Sequence, residues 1–291
     1  MRFGLFAINY GTCADPDAAV AVARHAESVG FESVWGAEHV VLPVSASLGS
    51  PLPATLPMLD PLVALTLVAN ETTELRLGTG ILILPLHNPV VLAKGLASLD
   101  LVCDGRLLVG VGAGYIREEF AAVGVPFEQR GPRMDEYLRA LRTLWGSRQP
   151  GFDGRFVAFR GIDAHPRPRQ QPHPPLVIGG ESQPALTRAV TQGNGWYGFS
   201  LDLVQTRQCV TRLRQIAERR ERPAELGPLE LTVTPRENLD RDTVEQYAEL
   251  GVTRLVLLPN PGAGHAERHR PVPLSQITAN LDTVAERLMK D

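Results

Sequence analysis

The chain has 291 residues, 44% hydrophobic and 21% charged, with a formal net charge of −3. This is an ordinary globular composition with enough chain for a sizeable core, and the charge gives no electrostatic case for a nucleic acid or anionic membrane partner. Cys13, Cys103 and Cys209 are few and far apart, no stretch has the ~18 unbroken apolar residues of a membrane span, and MRFGLFAINYG lacks a signal peptide's apolar core, so a cytoplasmic protein is expected.

Short apolar runs alternate with amphipathic helical patterns. The first predicted strand, Phe3–Ile8, leads into a helix from Asp15 to Val29, which opens on a capping Asp with proline and stops at Gly30. Strands follow at Ser33–Trp35, Leu75–Leu82 and Leu107–Val111, with helices over Asp60–Thr73 and Pro89–Val102. The segment from Arg117 to Pro175 is too long for one crossover. It holds a helix from Pro132 to Trp145, a β-hairpin around Phe152–Phe159 and the proline-rich run HPRPRQQPHPP, and it reads as an insertion after the fourth strand that helps to shape a pocket. Strands at Leu176–Ile178, Gly195–Gly198, Leu229–Val233 and Leu255–Leu258 complete the set, with helices over Asp202–Arg220, Asp240–Leu250 and Leu274–Met289. Eight strands, each followed by helix, predict an α/β fold: a single (β/α)8 TIM barrel occupying residues 1–291, with 117–175 inserted. An open doubly wound sheet is the alternative, disfavoured because the count reaches eight and no linker divides the chain.

In such a barrel the chemistry sits at the C-terminal ends of the strands. The first ends near Asn9. The second runs into WGAEHVVLP, which puts Glu38 and His39 on the rim; histidine titrates near neutral pH and suits general acid/base work, with Glu38 placed to tune it. The third ends at GTGILI, where glycine weakens a strand interior and marks a close approach of backbone to a ligand. The fourth ends in GVGAGY, with Gly112 and Gly114, and the fifth in VIGGES, with Gly179 and Gly180. These small, backbone-exposed ends suit a flat or phosphorylated ligand, and VIGGES before a helix offers free N–H groups to a phosphate. GVGAGY fails the dinucleotide pattern because Tyr115 stands where the third glycine belongs. His265 and His269 flank Glu267 at metal-ligand spacing, but PGAGHAERHRP carries no helix pattern and reads as a solvated loop. The first strand end, FAIN, lacks the HxH pair of barrel metallohydrolases.

FGLFAINYG, GFESVWGAEHVVLP, the run from LRLGTGILILPLHNP through GVGAGYIREEF to RMDEYLRAL, and PHPPLVIGGESQPALTRAVTQGNGWYGF together resemble the bacterial luciferase-like family, most closely its F420-dependent oxidoreductase branch, almost end to end. The resemblance implies a barrel that binds a flavin or the deazaflavin coenzyme F420 at the strand C-termini, a small-molecule substrate, and a homodimer or larger assembly. It implies that His39 is catalytic with Glu38 beside it. It further implies a non-prolyl cis peptide at Gly80–Ile81 that supports the tricyclic ring, and a cofactor site drawn from Asn9, Thr79, Gly80, Ile81, Gly112, Gly114, Ile178, Gly179 and Gly180. FMN-dependent luciferase subunits carry a phosphate-contacting arginine in the fourth-strand motif. Ala113 stands there here, which favours F420 over FMN. The expected activity is hydride transfer between F420 and a small organic substrate. A reduced-FMN monooxygenase and a cofactor-binding protein without its own reaction are the alternatives.

Overall fold

The computed structural model describes residues 1–44, 52–220, 222–260 and 271–289. Within them the chain runs β1 (Arg2–Phe6), α1 (Pro16–Ser28), β2 (Ser33–Gly36), α2 (Pro61–Glu71), β3 (Arg76–Thr79), β4 (Leu82–Ile83), α3 (Pro89–Val102) and β5 (Leu107–Gly112). It continues through α4 (Arg117–Val123), α5 (Arg130–Gly146), the hairpin β6 (Phe152–Asp153) and β7 (Ala158–Phe159), β8 (Leu176–Gly179), α6 (Gln183–Gln192), β9 (Gly195–Leu201), α7 (Leu203–Arg219), β10 (Glu230–Pro235), α8 (Arg241–Glu249), β11 (Arg254–Leu257) and α9 (Leu274–Val284). The main sheet orders β3-β2-β1-β11-β10-β9-β8-β5-β4, and β3 pairs β5 to close it; every one of its pairings is parallel. This is a (β/α)8 barrel.

Helix starts follow the sequence punctuation. Asp15, Asp60, Asn88, Ser182, Asp202 and Asp240 each accept a backbone N–H from the first turn of the helix they precede. These caps satisfy donors that a helix start leaves unpaired. Asp202 and Gln205 complete a capping box at α7.

The expected third strand, Leu75–Leu82, breaks in two. Pairing stops at Thr79, the Gly80–Ile81 peptide is cis, and the chain rejoins the sheet at Leu82 and Ile83 beside Val111 and Gly112. The glycines here are set by packing. A Cβ on Gly78 would lie 2.3 Å from the Trp35 indole, and one on Gly80 would lie 2.8 Å from Phe6. Trp35 is fully buried, so its ring occupies space that any larger residue at 78 would need.

The 117–175 segment divides. Its long helix, α5, packs against α3 and α6 and so serves as the barrel's fourth outer helix. The hairpin lies along α5: Glu136 accepts the N–H groups of Arg155, Phe156 and Val157, and the Arg133 guanidinium sits 4.6 Å from the Phe156 ring centre. The helix α4, not anticipated from the sequence, lies next to the rim of the barrel.

The lower end of the barrel is closed by charge. Arg254, fully buried at the start of β11, reaches Glu32 with Nε and Nη2 at 2.8 and 2.7 Å and Thr232 with Nη1 at 3.0 Å.

Candidate active site

The upper mouth collects the ends of β1, β2, β3, β5 and β8. After β2 the chain leaves the sheet as Ala37–Glu38–His39. Successive side chains on extended backbone point to opposite sides, and the two polar residues separate accordingly. Glu38 is buried, accepting the Ile83 N–H at 2.5 Å and meeting His87 Nε2 at 2.9 Å. His39 turns toward α4, where its Nδ1 lies 3.3 Å from Glu119 Oε2. Glu119 is 0% exposed, and its other oxygen accepts the Val40 N–H at 2.7 Å. The Tyr115 ring stands edge-on to His39 at 5.9 Å. The carboxylate that meets His39 is therefore Glu119, and the expectation that Glu38 tunes it is corrected by the direction Glu38 takes.

Glu119 accepts a hydrogen bond from the Nδ1–H, which leaves Nε2 as the ring's open nitrogen. His39 Nε2 has no hydrogen-bond partner among the described residues. The second pair differs. Burial alone would lower the His87 pKa, but the bonded Glu38 carboxylate, with Asp60 and Glu119 further off, carries it above the ordinary histidine value.

The expected cofactor residues divide into those that face the mouth and those that support it. The Asn9 amide is spent internally: it donates to Ala37 O and Leu59 O and accepts from Ala37 N, tying β1 to β2. Thr79 Oγ1 donates to Gly110 O at 2.7 Å. Ile178 is packed in the core, and Gly114, at φ +77°, is covered by Ile83 and Phe120. Ile81 is half-buried, and its side chain fills the space above two glycines: a Cβ on Gly112 would lie 2.3 Å from Ile81 Cδ1, and one on Gly179 would lie 2.9 Å from Ile81 Cγ2. Gly112 and Gly179 thus admit Ile81, and the face offered upward is Ile81 itself. The 37%-exposed Phe199, whose ring centre lies 4.9 Å from that of the buried Phe6, adds exposed apolar surface. A flat apolar ring fits such a platform.

At the β8–α6 turn, Gly180 adopts φ +112° and its carbonyl accepts from Trp196 Nε1 at 2.8 Å. Its N–H is already given to Tyr197 O at 3.2 Å. Among the described residues, the N–H groups of Glu181, Ser182 and Gln183 have no acceptor, so the free donors at the start of α6 begin one residue later than expected. Arg212 donates to Glu181 O at 3.0 Å and to Gln183 Oε1 at 3.1 Å, and Arg236 donates to Ser200 O at 3.2 Å. Burial lifts the Glu181 pKa, opposed by the charges of Arg236 and Arg212. Sequence reasoning missed Glu119, His87, Arg212 and Arg236. The only signal for Glu119 was its place in the REEF run after GVGAGY.

Among the described residues no group of three or more His, Cys, Asp and Glu side chains is arranged to hold a metal ion. His265, Glu267 and His269 lie outside the described residues. No helix of the described residues is long and apolar enough to cross a membrane.

Comparison with known proteins agrees with this architecture. The family described as luciferase-like monooxygenase matches residues 1–264, and the chain belongs to it. An uncharacterized protein of Mycobacterium tuberculosis is 33% identical over 278 residues, covering 91% of this chain and 95% of the relative. Among solved structures, the monooxygenase RslO1 from Streptomyces bottropensis superposes with a TM-score of 0.76 at 21% identity, covering 99% of both chains. An F420-dependent secondary alcohol dehydrogenase, in complex with an F420-acetone adduct, superposes with a TM-score of 0.77 at 16% identity, covering 100% of this chain and 99% of that one. At these identities the structural likeness establishes the fold. Members of this family are oxidoreductases or monooxygenases that act on small molecules.

Proposed function

We propose that this chain is an F420-dependent oxidoreductase that moves a hydride between the deazaflavin and a small organic substrate, with His39 as its proton-transfer residue. The observation that carries the catalytic part is the His39–Glu119 contact beside the Ile81 platform. The Ile81 side chain and the Gly80–Ile81 backbone would bear one face of the ring. The N–H groups of Glu181, Ser182 and Gln183 at the start of α6 would hold its phosphate, with Gly179 and Gly180 shaping the turn that presents them and Arg212 and Arg236 supplying positive charge nearby. When bound, the deazaflavin supplies a carbon centre that accepts or donates a hydride. His39 Nε2 takes the proton from the substrate oxygen in the oxidative direction and returns it in the reductive one. Glu119 holds Nδ1–H and stabilises the imidazolium while the proton resides there. Glu38 acts at one remove, fixing the backbone of Ile83 and the ring of His87.

Ala113 supports F420 over FMN, since no arginine stands at that position just after β5 to meet an FMN phosphate. The same reading carries a cytoplasmic location and a homodimer or larger assembly. The experiment is turnover of F420 with a panel of alcohols and carbonyl compounds by wild type and His39→Ala. The variant should retain F420 affinity and lose about 10²–10⁴-fold in turnover, the range for a general acid/base. Undiminished turnover in His39→Ala would remove His39 from the mechanism. Tight F420 binding with no turnover of any panel compound would indicate a carrier.

A further inference from the structure

Strand β9 alternates regularly and then breaks its alternation at the mouth. Tyr197 lies in the inner cluster with Phe6 and Trp35, whereas Trp196 belongs to the core between the sheet and the helices. A Cβ on Gly198 would lie 2.5 Å from the Trp196 ring and 2.6 Å from Leu201 Cδ1, so 196, 198 and 201 share the outer side. Phe199 is on the inner side, its ring centre 4.9 Å from Phe6 and 6.3 Å from Tyr197. An unbroken strand would turn Leu201 inward after Phe199. Instead the pairing with β10 shifts register between Thr234, opposite Phe199, and Pro235, opposite Leu201. Ser200 is the extra residue, at φ +57°, a conformation uncommon outside glycine. Its neighbours hold it there: Arg236 Nε donates to Ser200 O at 3.2 Å, and Tyr247 Oη donates to Leu201 O at 3.0 Å. The bulge buries Leu201 on the outer side and leaves Phe199 as the last inward residue of β9.

The order of strands sets what Phe199 faces. Around the closed ring, β9 lies four strands from β2 in either direction, with β4 continuing β3. Phe199 and His39, at the ends of these two strands, therefore face each other across the mouth. The loop between β3 and β4 adjoins both. A Cβ on Gly80 would lie 2.8 Å from Phe6 and 3.3 Å from Tyr197, the two rings on which Phe199 packs. On the other flank Glu38, next to His39, accepts the Ile83 N–H. Phe199 thus stands at one edge of the Ile81 platform and His39 at the other. A phenyl ring at that edge favours an apolar chain by burial and offers no partner to a charged one.

We propose that Phe199 determines substrate size: with the substrate oxygen at His39 Nε2, the carbon skeleton extends toward Phe199, whose ring limits it to a short apolar chain. The inference rests on the F420-dependent reading for the reaction and on the placement of Phe199 for the limit.

The test uses a series of methyl ketones of increasing chain length. Their dissociation constants are measured by calorimetry on the protein loaded with oxidised F420, and their turnover is measured with reduced F420. Wild type should bind the short ketones and lose about tenfold or more at the first chain that meets the ring. Phe199→Ala should move that break to longer chains, Phe199→Leu should fall between, and Phe199→Trp should move it to shorter ones. The break is read within each variant, so a change in cofactor affinity common to all the ketones cancels. A residue that only holds the fold would not shift the break in opposite directions in Phe199→Ala and Phe199→Trp. The proposal is overturned if the break stands at the same chain length in Phe199→Ala as in wild type, if Phe199→Ala and Phe199→Trp move it the same way, or if no ketone binds the loaded wild type. Ketone binding with the expected breaks but no turnover would sink the hydride-transfer reading and leave the role of Phe199 standing. Turnover with an unmoved break would do the reverse.

Discussion

At the mouth, two histidines each lean on a buried glutamate, and the pairing decides their roles. His39 meets Glu119 and keeps Nε2 open, whereas His87 spends Nε2 on Glu38. Glu119→Gln removes the anion that stabilises a charged His39, so kcat should fall about tenfold or more while F420 affinity holds; Glu119→Asp should recover part of it. Equal kcat in wild type and Glu119→Gln would leave Glu119 a purely structural residue. His87 makes a pH prediction. Its folded pKa is raised, so the stability from the His87–Glu38 pair is fully present below the unfolded histidine value of about 6.5 and is lost as pH rises through the higher folded value. Denaturant unfolding across that window should show a fall with pH that His87→Gln flattens. His39 and Glu38 were legible in AEHV, because a strand end sets them on the rim. Which carboxylate meets which histidine was not, because adjacent side chains diverge and Glu119 arrives from a separate helix 80 residues later.

The broken third strand shows how one element answers to its neighbours. Trp35 of β2 lies over Gly78, and the loop after β3 lays Ile81 across Gly112 of β5 and Gly179 of β8. Gly78→Ala should destabilise by about 1–3 kcal/mol in denaturant unfolding, as overpacking a filled core does. Gly112→Ala acts on the platform instead. It drives Ile81 out of its slot, and should weaken cofactor binding about tenfold while the barrel still forms. Unaltered affinity in that variant would show that Ile81 bears no ring. The glycines were visible in LRLGTGILI as defects in a strand. Their cause was not, since the side chains that need the space belong to Trp35 and Ile81, and contacts between strands leave no mark on the run itself. The helix starts were more legible, because Asp15, Asp60 and Asn88 cap locally and each precedes a proline.

Closure of the whole barrel rests on contacts distant in sequence. Eight strand patterns separated by helices were enough to expect the barrel, yet nothing in RLVL marks Arg254 as the buried cation under it. That residue joins β11 to Glu32, ahead of β2, and to Thr232 of β10. Burial would raise the Glu32 pKa, but the bonded Arg254 outweighs it and holds the carboxyl below its usual range. The stability it supplies is present above the ordinary carboxylate value of about 4.3 and is lost as pH falls through the depressed folded value. Arg254→Met should cost about 1.5–3 kcal/mol by removing the bonded guanidinium from half-buried Glu32, which keeps Arg2 at 3.8 Å, and should flatten the acid limb of the stability profile. An acid limb as steep as wild type would place the pH dependence elsewhere. Above this closed floor the mouth presents Ile81, His39 and the start of α6 together, and the central claim is that a deazaflavin lies there. The most direct measurement is parallel equilibrium titration of the protein with F420 and with FMN. Saturable F420 binding that is much tighter than FMN binding is predicted; micromolar FMN binding with no F420 binding would contradict it.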